Sequence, residues 1–109
     1  GRTVRVNVTN LETLNEHRDT LDRFIQAYRE TIDWMYNDPA ALKLYANFSG
    51  LPEKIVARVR DFIPKETILP EQIVGVDQIN ADAVKLKFLP APLTPEQITE
   101  MVQIARPLK

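Results

Sequence analysis

From Leu21 to Tyr36 the apolar side chains recur at three- and four-residue steps, as Leu21, Phe24, Ile25, Tyr28, Ile32, Met35 and Tyr36. That period gathers them into one buried stripe of an α-helix and leaves Asp22, Arg23, Gln26, Arg29, Glu30 and Asp33 on a solvated face. Two pairs at i,i+4 spacing, Gln26 with Glu30 and Arg29 with Asp33, support that face. Asp19 is placed to cap the helix, and Leu11–Glu16 predicts a short helix or helical turn before it. Trp34 falls off the stripe, so it is expected to be partly exposed or to face a neighbour from elsewhere.

Asp38-Pro39 stops this helix and starts the next, because a proline at the first helical position gives up only an N–H that would be unpaired there anyway. The second helix carries Leu42, Leu44, Tyr45 and Phe48 on its core side and ends at Ser49-Gly50, since glycine adopts the left-handed C-terminal conformation at little cost. Three later segments open alike: Pro52-Glu53-Lys54-Ile55, Pro70-Glu71-Gln72-Ile73 and Pro95-Glu96-Gln97-Ile98. Each reads as a helix start, with proline in the first turn, glutamate against the helix dipole and isoleucine as first core contact. Thr94 and Gln97 add a capping box to the last. The unequal offsets make these repeated local solutions rather than a solenoid repeat.

The third helix is predicted to bury Ile55, Val56, Val59, Phe62 and Ile63 before Pro64. The fourth, from Pro70 to about Leu89, offers Ile73, Val76, Ile79, Ala83 and Leu86 to a core. The fifth offers Ile98, Met101, Val102 and Ala105 and ends before Pro107. Between the last two, Leu89-Pro90-Ala91-Pro92-Leu93 is a stiff extended linker. At the other end of the chain, Thr3 to Thr9 alternates with period two, putting Val4, Val6 and Val8 on one face of a strand. One strand cannot pair its own backbone, so its partner must be another copy or polypeptide outside this sequence. The fold class is therefore mainly α, about five helices plus one N-terminal strand, with residues 1–10 as the strand and 11–109 as a helical region of a single unit.

Composition adds little to this picture except exclusions. The 109 residues suit one domain or part of one, and 44% hydrophobic with 27% charged residues is ordinary for a folded chain. Fourteen basic against fifteen acidic residues provide no field to gather nucleic acid or an anionic membrane. With no cysteine, the chain has no disulfide, thiolate metal site or thiol nucleophile. The start at Gly1-Arg2-Thr3 lacks a signal-peptide core, so an export signal would have been removed or lie upstream.

Candidate chemistry is sparse. His17, the single histidine, sits among Glu16, Arg18 and Asp19 and reads as a surface residue of the turn before the main helix. The pairs Asp19 with Asp22 and Asp77 with Asp82 read as caps or solvated charges, because no cleft around them is legible. Ser49 lies beside Gly50 without the Gly-x-Ser-x-Gly elbow of a nucleophile, and three glycines cannot form a phosphate-cradling loop. Tyr28, Trp34, Tyr36 and Tyr45 suit a core better than a ligand pocket, and Arg58, Arg60, Lys85 and Lys87 read as side chains that snorkel from apolar surroundings. The residues themselves thus nominate no catalytic, cofactor or metal site, and the ligand-binding residues stay unknown.

The run Ala27-Tyr28-Arg29-Glu30-Thr31-Ile32-Asp33-Trp34, then Asn37-Asp38-Pro39, resembles a helix and turn of the periplasmic substrate-binding proteins of nitrate, sulfonate and taurine-type ABC transporters, a superfamily that also takes in proteins of thiamine-pyrimidine synthesis. Tyr45-Ala46, Ser49-Gly50-Leu51, the run from Ile79 to Leu89 and Pro92-Leu93-Thr94 extend the likeness in order to the C-terminal region. The resemblance implies the C-terminal helical portion of a two-lobed α/β fold of the periplasmic-binding-protein type II, with Val4 to Val8 as the segment returning to the first lobe. It further implies a periplasmic or extracellular protein, soluble or lipid-anchored, that binds a small anionic or heteroaromatic solute, delivers it to an ABC permease and catalyses nothing. Its solute contacts come from loops of the two lobes, so no binding residue carries over, and this portion by itself is not expected to bind. The competing expectation is a stand-alone helical interaction module, a homodimer joined through the N-terminal strand.

Overall fold

In the computed structural model, which describes residues 5–103, the chain forms six α-helices and one 3₁₀ turn, with no strand among the described residues. The helices are α1 (Leu11–Glu16), α2 (Arg18–Asn37), α3 (Pro39–Ser49), α4 (Glu53–Phe62), α5 (Val76–Lys85) and α6 (Pro95–Met101), and the 3₁₀ turn spans Lys65–Thr67. Local capping chemistry sets most of these boundaries. Asn10 accepts the Thr13 amide at 2.8 Å to open α1, and Asp38 accepts the Ala40 amide at 2.9 Å to open α3. Gly50 closes α3 at φ 72°, and the Thr94–Gln97 capping box opens α6 through reciprocal bonds of 2.9 and 3.2 Å.

Four boundaries depart from the sequence expectation. α6 ends at Met101, so Val102 lies outside the helix that was expected to run on towards Pro107. α2 starts two residues earlier than Asp19 would cap it: His17 is the capping residue, without a side-chain bond, and Asp19 lies in the first turn, paired with Arg23 at 3.3 Å. Pro70-Glu71-Gln72-Ile73 is not helical. The fourth predicted helix begins only after Gly75, whose φ of 81° lets the chain turn into α5, so Ile73 lies outside it. α5 in turn ends at Lys85 rather than near Leu89. Its end is a Schellman motif, with the Phe88 amide bonded to the Ala83 carbonyl at 2.8 Å and the Lys87 amide to the Val84 carbonyl at 3.0 Å. Lys87 occupies the left-handed position at φ 64°, where glycine is the usual residue.

The N-terminal alternation produces no ladder. Residues 5–10 carry no regular structure, and both Val6 and Val8 are exposed, Val8 by 85%. Thr3 and Val4, the first half of the expected strand, lie outside the described residues, as does Ala105 of the last helix. A strand needs a neighbouring edge for its N–H and C=O groups, and the described residues present none to it.

The core is small. Among the described residues, Ile32 of α2, Ala41 and Ala46 of α3 and Val56 of α4 are the buried apolar ones, drawn from three helices of which α3 packs on both α2 and α4. Of the expected stripe on α2, Leu21, Ile25, Met35 and Tyr36 are half-buried, whereas Phe24 and Tyr28 stay exposed. On α4 only Val56 is buried. Ile55, Val59 and Phe62 of that helix form an uncovered row, as do Leu44, Tyr45 and Phe48 on α3. The radius of gyration is 17.2 Å, well above the ~13 Å of a compact chain this long.

α6 is attached to α5 through a side chain. The Asn80 amide donates to the Leu93 carbonyl at 3.0 Å and accepts the Leu93 amide at 2.9 Å, so one asparagine pairs with the backbone as a strand would. The stiff Pro90 to Pro92 linker then delivers α6 onto α5.

Replacing Lys87 by glycine is expected to stabilise the chain by about 0.5–1 kcal/mol, since a side chain in the left-handed region costs about 1–2 kcal/mol and glycine's greater unfolded freedom offsets part of the relief. Equilibrium urea unfolding of Lys87→Gly against the parent checks this, and an unchanged or lower midpoint would count against the strain.

Candidate functional site

The polar face of α2 is where the structure concentrates its specific long-range contacts. Chain that follows α4 runs back along α2 in the opposite direction, tied to it at successive levels. Tyr36 donates its hydroxyl to the Ile63 carbonyl at 2.6 Å, Lys65 pairs with Asp33, and Arg29 Nε donates to Glu71 Oε1 at 2.6 Å. Nearer the start of the helix, Arg18 reaches Gln103 at 3.1 Å. Residues 36, 33, 29 and 18 thus meet 63, 65, 71 and 103 in strict reverse order.

Arg29 was expected on the solvated face, opposite Asp33. Instead its side chain is 9% exposed and its carboxylate partner is Glu71, which is 45% exposed, while Asp33 takes Lys65. The charge of Arg29 is compensated as it leaves water, which a buried guanidinium requires. At Pro70, where a helix start was expected, the Glu71 carboxylate is directed at Arg29 rather than at a helix N-terminus. By contrast, the expected Gln26 to Glu30 pair forms, at 3.3 Å.

Tyr36 is the one group here with a perturbed acidity. Burial raises its pKa above the ordinary phenol value, the Glu66 carboxylate raises it further, and Arg60 opposes them. Trp34 is 39% exposed, in keeping with its place off the stripe. Its indole N–H donates to Asp38 Oδ2 at 3.1 Å, while the other oxygen of Asp38 caps α3. One carboxylate therefore fixes both the end of α2 and the start of α3.

The other singled-out residues are dispersed. His17 is exposed between α1 and α2. Asp82 accepts from Gln78 at 3.0 Å, and Asp77 lies in the first turn of α5. Ser49 bonds the Ala46 carbonyl at 3.4 Å as a helix-end residue, Tyr45 packs obliquely on Phe48 with ring centroids 6.4 Å apart, and Arg60 pairs with neighbouring Asp61. No three His, Asp or Glu residues among those described come together as a metal site. A hollow of about 90 Å³ between α5 and α6 is lined by Val76, Ile79, Ala83, Leu93 and Ile98, with Asn80 committed to Leu93. It is far below the ~300 Å³ at which small-molecule pockets begin. An open depression beside it, about 300 Å³ between Leu86 and Phe88, has Asp82 as its one charged lining residue.

The site that emerges is a pair of surfaces on one helical layer: a polar seam along α2, closed by its own chain, and uncovered apolar rows on α3 and α4. Periodicity located both rows but assigned them to a core. The seam was missed because its partners lie far apart in sequence, 42 residues in the case of Arg29 and Glu71. Compared with protein-family models, curated proteins and solved structures, the chain matches none.

Glu71→Ala is expected to lower stability by about 1.5–3 kcal/mol, the range for hydrogen bonds to charged groups. Glu71→Gln should lose less, because its amide oxygen can still accept from Arg29. Chemical denaturation of both variants checks the order, and equal losses would argue against a charge-assisted bond.

Since the Tyr36 pKa is raised on folding, its contribution is complete below about pH 10, where the unfolded phenol titrates, and disappears as pH rises through the higher folded value. Tyr36→Phe should therefore be less stable than the parent at pH 8, and the gap should shrink in denaturation curves taken above pH 10.

Proposed function

We propose that this chain is the C-terminal helical portion of a two-lobed solute receptor, the substrate-binding component of an ABC importer for a small anionic or heteroaromatic solute. The observation that carries the reading is the order of punctuated helices: α2 with the Ala27 to Trp34 run, the Asp38-Pro39 junction, α3 ended by Gly50, and the closing α5 and α6 pair joined through Pro92-Leu93-Thr94. These are the segments in which the resemblance resides. Supporting it are the uncovered rows on α3 and α4, which suit a layer of a larger α/β fold.

In this reading the protein works by binding and lobe closure, with no covalent step. The solute lies between lobes, and this helical layer supplies rigidity to one of them. It acts outside the cytoplasmic membrane, soluble or lipid-anchored, and presents its cargo to a permease. The uncovered apolar row of α4 also fits a second reading, a helical interaction module that pairs with its own copies. Solution mass separates the two, because a module of this size would form a stable dimer by itself.

The intact gene product, screened by thermal shift against small anions, sulfonates and pyrimidines, should melt several degrees higher with its solute. At a hundredfold excess over Kd the gain is about 2.7 kcal/mol. A well-folded intact product with one compact lobe and no interlobe cleft would overturn the proposal.

A further inference from the structure

We draw no further inference here: the strongest candidate, the uncovered apolar surface of Leu44 and Phe48 on α3 and of Ile55, Val59 and Phe62 on α4, carries nothing more because nothing in the structure shows what covers it.

Discussion

The Arg29 guanidinium has to be compensated as it is covered, and the chain that follows α4 carries the carboxylate that does so. A guanidinium cannot lose its charge at ordinary pH, so once surrounded it must be met by a carboxylate held at bonding distance. Glu71 supplies that at 2.6 Å, within a stretch from Pro70 to Val74 that is not helical. α5 starts at Val76, after a glycine able to make the turn. The Lys65 to Asp33 pair and the Tyr36 bond to the Ile63 carbonyl bring the chain to that point in register. A residue on the face of α2 thus meets a partner 42 positions downstream, shortly before α5.

The strength of this seam contrasts with the weakness of the apolar core. Four buried apolar residues, two of them alanine, bury little area, and at about 25 cal/mol per Å² they cannot by themselves offset the entropy of ordering a chain this long. Charge-assisted contacts give specificity of register without supplying that deficit. The helical layer is consequently well specified but thinly supported. Covering the rows on α3 and α4 would add apolar burial that the four core residues do not supply.

What was legible in the sequence follows from how local each signal is. Asp38-Pro39, Ser49-Gly50 and the Thr94–Gln97 box depend on residues within four positions of one another, and all three form as expected. Pro70-Glu71 and Pro95-Glu96 are alike over the same span yet end differently, and Glu71 pairs with a residue 42 positions away. The Schellman end of α5 escaped notice for another reason, since its left-handed residue is Lys87 where the pattern calls for glycine. Periodicity found the apolar rows of α3 and α4 but could not say which surface would meet them. Composition ruled out a thiol site and gave no sign of the seam.

Trp34 shows how tightly the two kinds of signal are joined. Its indole is off the apolar stripe, yet it is anchored through Asp38, the same residue that caps α3. If the ring served only to fill a core, it would not need its polar edge bonded to a cap at the surface. Bonding it there ties the end of α2 to the first turn of α3. The rows on α3 and α4 sit on helices held by contacts of their own, α3 through its Asp38 cap and α4 by packing on α3, with Ala46 and Val56 both buried. A surface held in that way is preorganised, so covering it would cost little further ordering.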